Sequence, residues 1–284
     1  MKKAKRKASR RVTREQQFNV KPSPERERDW SIRKAGFRKN QVSELPSRYT
    51  VYGNAGYNSW FAREVESQGQ TGSCVGFAMA AVLRYHLVMD HPAVTRSRSG
   101  RNRPSEQWLW QASKEMDGYT LHPSTMLMWD GTYLKTVLDV CRKWGCVSRT
   151  VLPFGELVYE KTDKVLKAAS DWKIKSYHAV SPWVEGENQF NEAGMKWWLF
   201  NHGPVLTRLN VNEAFVRANK RTGVLDDTSK RTTYGHAVCV VGYSDEGVLI
   251  RNSWGRRWGE YGHLWVSWRY ARLFLTESYG ITMD

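Results

Sequence analysis

The chain has 284 residues, a mass of 32.9 kDa and a formal net charge of +16. Hydrophobic residues make up 40% and 14 are Trp, enough to fill the core of one enzyme-sized unit rather than an extended or disordered chain. No run of about 18 apolar residues occurs, which excludes a membrane-spanning helix, and no apolar segment follows the basic N-terminus, which argues against a secretory signal.

The charge is unevenly placed. Residues 1–40 carry 15 Lys/Arg against 4 Asp/Glu, a net of +11, leaving +5 for the rest. Apolar residues are sparse and aperiodic there, so residues 1–44 are expected to form a flexible basic arm. Such an arm holds nucleic acid or an acidic partner by charge alone, or serves merely as a solubilising tail. Lys21-Pro22-Ser23-Pro24 reads as a linker, and a short amphipathic piece is expected from Asp29 to Lys39. Whether the arm serves in targeting or regulation stays open.

The folded domain is expected over 45–284, beginning with the stretch from Leu45 to Phe61. Gly69 and Gly72 then mark a loop, and from Ser73 the pattern turns helical, with Val75, Ala78, Ala81, Val82, Leu83, Leu87 and Val88. Ser73 is the expected cap and Cys74 falls in the first turn. Helix N-termini carry unpaired N–H groups and partial positive charge, so the Cys74 thiol is expected to be lowered and reactive. A helix apolar nearly all round is buried, which gives that sulfur a rigid support.

Val94 to Arg103 reads as an exposed loop. Ser105 is the expected cap of a helix reaching about Met116, and Asp130-Gly131-Thr132 opens another, ended by Gly145. A short helix is expected over Lys161–Asp171, a strand over Trp172–Val180 and a helix over Gln189–His202, stopped by Gly203-Pro204. Beyond Val205 the periodicity becomes β-like: Val205–Leu209, His236–Tyr243, Gly247–Arg251 and Gly262–Trp268. Helices first and strands later predict an α+β protein of two lobes.

Three distant motifs give this order a meaning. Ser67-Gln68-Gly69-Gln70-Thr71-Gly72-Ser73-Cys74, then Gly235-His236-Ala237-Val238 with Gly242-Tyr243, then Asn252-Ser253-Trp254-Gly255 with Trp258-Gly259 together resemble the papain-like cysteine peptidases, most closely the compact microbial and viral type. The resemblance implies a papain-like fold, with a helical left lobe, an antiparallel β-barrel-like right lobe and the active-site cleft between them. It also implies roles. Cys74 is the nucleophile, His236 the base and later acid, and Asn252 the residue that orients the imidazole. Gln68 and the Cys74 N–H form the oxyanion hole, Trp254 shields the triad, and the Gly131 backbone pairs with bound peptide. The separations from Cys74, 162 residues to His236 and 178 to Asn252, exceed the family's usual spacing of about 130–150 and imply insertions. Peptide bonds would be hydrolysed through a thioester, with no cofactor and no metal.

Two positions depart from the family. Thr71 stands where secreted relatives have a disulfide cysteine, and Val75 where a tryptophan is usual. The remaining cysteines, Cys141, Cys146 and Cys239, match no family pair, and no zinc spacing occurs. A reducing compartment is therefore expected, cytoplasmic or delivered with a virion. Two rival readings remain at this stage. One is a catalytically retired scaffold tethered by its basic arm. The other is a related thiol-dependent transfer, against which Asn-Ser-Trp-Gly argues.

Overall fold

The computed structural model describes residues 20–24, 30–90, 103–117, 131–157, 161–184, 187–229 and 234–283. Most of the basic arm and nearly all of the loop expected over 94–103 lie outside them.

The helical side is built from α1 (Cys74–Asp90), α2 (Glu106–Met116) and α3 (Leu134–Lys143). Ser105 accepts a hydrogen bond from the Trp108 N–H at 3.0 Å, so the expected cap starts α2. Ser73 precedes α1, and its hydroxyl instead pairs with that of Thr71 at 2.6 Å. Gly145, at φ 87°, closes α3. At the α1–α2 crossing, a Cβ on Gly76 would stand 2.5 Å from the Glu106 carbonyl, so only glycine allows this approach.

After α4 (Asp163–Ser170) and β2 (Ile174–Ser181) comes α5 (Glu192–His202). It starts three residues later than the sequence suggests, because Asn191 caps it through the Gly194 N–H. Apart from a separate two-stranded pair, Trp183–Val184 with Glu187–Asn188, the other strands are β1 (Tyr49–Thr50), β3 (Val205–Asn210), β4 (Val224–Leu225), β5 (Gly235–Tyr243), β6 (Gly247–Arg251), β7 (His263–Ser267) and β8 (Leu275–Met283). They form one sheet in the order β2-β8-β3-β5-β6-β7-β4, with β1 paired to β5. Neighbours are antiparallel except β4 and β7. Trp268, expected at the end of a strand, begins a further helix, α6 (Trp268–Phe274), capped by the Ser267 hydroxyl.

The central strand β5 is buried on both faces, which explains its unbroken apolar run. Ala237, Cys239 and Val241 share a core with α1, α2 and α3, whereas Val238 and Val240 share a second core with α5 and α6. The sheet thus joins a helical layer to a second layer, and β5 carries the first residues of the candidate site at its N-terminal end.

Two parts of the expected arm belong to this body. Trp30 accepts a hydrogen bond from the Ala179 N–H at 2.7 Å, and Ile32 and Phe37 are buried in the second core. Residues 20–24 also pack: the Val20 N–H donates to the Gly235 carbonyl at 3.1 Å, and the Ser23 N–H to Glu277 Oε1 at 3.0 Å.

Candidate active site

Three elements converge. Cys74 opens α1, His236 is the second residue of β5, and Asn252 follows β6 directly. Since β5 and β6 are neighbours, His236 and Asn252 meet although 16 residues separate them. The Asn252 Oδ1 lies 2.8 Å from His236 Nε2 and accepts the Ser253 N–H at 2.8 Å as well. A backbone N–H can only donate, so the atom facing it is the amide oxygen, and His236 Nε2 must be the protonated nitrogen. In the neutral ring this leaves Nδ1 with the basic lone pair.

The Trp254 indole covers the imidazole, with ring centroids 4.8 Å apart and planes at 32°. Phe215 and Trp258 brace that indole at 5.7 and 5.3 Å. The indole thus lies over one face of the imidazole.

The loop before Cys74 is tied to the loop after β6. Gln68 N–H donates to the Ser253 carbonyl at 2.9 Å and Gly255 N–H to that of Glu66 at 3.0 Å. The Ser253 hydroxyl donates to Gln68 Oε1 at 2.6 Å, and Gln68 Nε2 donates to the Thr71 carbonyl at 2.8 Å. With its oxygen held, the buried amide presents nitrogen toward the loop before Cys74, and an NH2 group carries a second hydrogen. Arg251, next to Asn252, donates to the carbonyls of Phe61 and Glu64. Behind it, Glu64 is shared by Arg84 and Arg103, and Glu66 by Arg103 and Arg149. None of these supports was read from sequence, although Ser253 stands inside the motif that revealed Asn252.

Cys74 and His236 have no solvent exposure. Burial pushes the Cys74 thiol up to about 11, while the N–H groups of Ala237, Val75 and Cys74 itself and the charge of Arg208 pull it down. The helix end alone therefore does not lower this thiol, contrary to expectation: the desolvation it suffers is larger. Burial likewise takes the His236 imidazole down to about 4, its bond to Asn252 opposing the drop. Both shifts favour the uncharged forms, a thiol and a neutral imidazole.

A family model described as papain family cysteine protease matches residues 57–282. The chain belongs to that family. Papain from Carica papaya is 24% identical over 203 residues, which cover 70% of this chain and 50% of papain. Cathepsin Q from Rattus norvegicus is 36% identical over 222 residues, 74% of this chain and 56% of the relative. An uncharacterized peptidase C1-like protein of Acanthamoeba polyphaga mimivirus is 31% identical over 72% of this chain and 64% of its own. The chain spans about half the length of the curated relatives it matches first. Among solved structures, xylellain, a cysteine protease from Xylella fastidiosa, superposes with a TM-score of 0.71 at 22% identity, covering 98% of this chain and 100% of xylellain. That likeness establishes the papain-like α+β fold.

Gly131 is buried three residues ahead of α3. Its neighbour Thr132 donates to Asp117, and Lys135 in the first turn of α3 meets residues 23 and 24. All four cysteines are free and buried. Burial raises the thiols of Cys141, Cys146 and Cys239, which suits inert core residues. Among the described residues no cluster of His, Cys, Asp or Glu is arranged to hold a metal, and no helix is long and apolar enough to cross a membrane.

Proposed function

We propose that this papain-family chain is a peptidase that hydrolyses peptide bonds through Cys74, His236 and Asn252. The observation that carries the reading is the His236–Asn252 hydrogen bond, which leaves Nδ1 as the base of a ring shielded by Trp254. As the thiol proton passes to Nδ1, the sulfur attacks the substrate carbonyl. The Cys74 N–H and the second Gln68 Nε2 hydrogen receive the oxyanion. The imidazolium returns its proton to the departing amine, and water, activated by the same nitrogen, opens the thioester. A neutral Asn suits this pair because it orients the ring without adding a third charge. Gly131 is proposed to pair with the substrate backbone.

Cys74→Ala is expected to abolish cleavage of a denatured protein substrate while circular dichroism stays native. Substantial residual turnover would refute the assignment. The +11 charge of residues 1–40 further supports a phosphate-rich or acidic partner for the arm. Deleting residues 1–19 is then expected to weaken binding to DNA in a salt-dependent way. Unchanged binding would count against that role. Four free cysteines support a reducing compartment.

A further inference from the structure

Two turns meet beside the covered imidazole. After the single helical turn Glu213–Val216 the chain makes a tight turn over 219–222. The Thr222 N–H donates to the Asn219 carbonyl and the Asn219 N–H to the Thr222 hydroxyl, both at 2.9 Å. The second turn follows Asn252 and runs through Trp254 to Gly259 before the chain enters β7. The two are laced together: the Gly259 N–H donates to the Ala218 carbonyl at 3.2 Å, and Trp258 Nε1 donates to that of Phe215 at 3.1 Å.

These turns carry Lys220 and Arg221 on one and Arg256 and Arg257 on the other, all exposed. None of the four has a carboxylate partner among the described residues, whereas the neighbouring Arg217 is paired with Glu213 at 2.8 Å. Arg256 lies over the exposed Tyr261 ring, 5.3 Å from its centroid. Residues 213–222 and 255–261 hold 5 Lys/Arg against 2 Asp/Glu, a net of +3 out of the +5 carried beyond residue 40. Over half of the excess charge of the folded body is thus gathered at two touching turns. Like charges held this way repel one another, and an anionic partner relieves that repulsion.

The chemistry of the leaving group decides which part of a substrate passes here. The imidazolium returns its proton to the departing amine, so the half of the peptide that leaves with that amine lies beside His236. Trp254 covers that ring at 4.8 Å and is itself half-buried, and Trp258 packs on Trp254 at 5.3 Å. Arg256 and Arg257 stand between those two tryptophans in the chain. We propose that Lys220, Arg221, Arg256 and Arg257 form a basic subsite for the leaving half of the substrate, which selects acidic side chains about two to four residues beyond the scissile bond, an extended residue spanning about 3.3 Å. Selection by position holds only if Cys74 cleaves peptides, as proposed above, but the affinity of the patch for an acidic peptide can be read without cleavage.

Matched peptides test this. Three share the residues before the cut and carry acidic, neutral or basic side chains at the second to fourth positions after it; a fourth carries the same acids well ahead of the cut. At low salt the acidic peptide is expected to be cleaved with a kcat/KM about tenfold above the neutral one, mostly through KM, and the gain is expected to shrink to about twofold near 0.5 M salt. Moving the acids ahead of the cut is expected to remove the gain, whereas attraction by the basic arm would favour both acidic peptides alike. Arg256→Glu with Arg257→Glu, or Lys220→Glu with Arg221→Glu, is expected to erase the preference, and all four together to reverse it. Arg256→Lys with Arg257→Lys is expected to keep it. All four side chains are exposed, so native circular dichroism is expected throughout. Fluorescence anisotropy follows, in parallel, the binding of a labelled acidic peptide and of a short DNA duplex. Peptides cleaved at rates that ignore the charge beyond the cut would overturn the subsite and leave the peptidase reading standing. No cleavage of any peptide, together with acidic-peptide binding that the four reversals abolish, would sink the peptidase reading and leave the patch as a dock for acidic peptide. Reversals that leave that binding unchanged would overturn the patch, and a loss confined to DNA would give it to nucleic acid instead.

Discussion

His236 and Asn252 are joined by a 2.8 Å hydrogen bond whose direction is set by a third atom, the Ser253 amide. That amide compels the Asn252 oxygen to face the ring and so decides which imidazole nitrogen carries the basic lone pair. Asn252→Ala leaves a buried Nε2–H without this acceptor. An unsatisfied buried donor is worth about 1–3 kcal/mol, so kcat is expected to fall by roughly 5- to 150-fold with a small change in KM. Steady-state kinetics on a peptide substrate checks this. An unchanged kcat would mean the ring is oriented by something else.

Gln68 serves two structural bonds and one proposed catalytic one. Gln68→Ala removes the donor proposed for the oxyanion, for which losses of about 10²–10³ in kcat are typical. Because Ser253 and Thr71 also lose a partner, a fall of about 1–3 kcal/mol in unfolding free energy is expected alongside. Gln68→Glu preserves the shape and an acceptor but not the Nε2 donors. A variant that keeps wild-type kcat while losing stability would reduce Gln68 to a loop support.

Trp254 lies 4.8 Å from the His236 ring, and burial is what holds that imidazole down near 4. Trp254→Ala lets water reach the ring. The acid limb of the kcat/KM profile is then expected to move up toward the ordinary histidine value of about 6.5. A pH series on wild type and variant gives the answer. An acid limb that stays put, with lower kcat throughout, would point to lost packing instead.

The three motif segments were readable because their residues are chemically unusual for their settings: a cysteine at a helix start, a histidine opening an apolar strand, an asparagine followed by Ser-Trp-Gly. The expected core strands and most helices follow, since β5 and β6 carry dense apolar runs. The last strand escaped notice for the opposite reason. β8 reads Leu275-Thr276-Glu277-Ser278-Tyr279, polar in sequence yet buried throughout. Its polar groups are satisfied by Arg208, Thr207 and Ser23, partners between 68 and 254 residues away. Residues 21–24 read as a linker for the same reason: four residues, two of them proline, carry no periodicity, and their order comes from contacts with distant parts of the chain. The lowered thiol expected from the helix end shows a related limit. The sequence places Cys74 at positive potential on a buried helix but does not show that the thiol itself is wholly buried.

His86 supplies a pH prediction apart from the site. It is 8% exposed, its Nε2 has no hydrogen-bond partner among the described residues, and burial takes its imidazole down to about 4, the nearby charge of His202 adding to the drop. The unfolded chain binds this proton near pH 6.5 and the folded chain only near 4, so between these values the unfolded state holds more protons. Stability from this group is therefore complete above about 6.5 and is lost on acidification, by about 1.4 kcal/mol per pH unit until 4. His236 near 4 and His263 near 3 act in the same direction. Glu106 and Glu277, both raised by burial, act in the opposite one. Urea unfolding from pH 7.5 to 4 isolates the His86 share by difference. His86→Phe is expected to match wild type at pH 7.5 within about 1 kcal/mol, as it removes a buried polar atom with no partner to orphan. At pH 5 the variant is expected to be the more stable by about 2 kcal/mol, because it takes up no proton on unfolding. Parallel pH profiles for the two proteins would mean that His86 keeps its ordinary proton affinity in the folded chain.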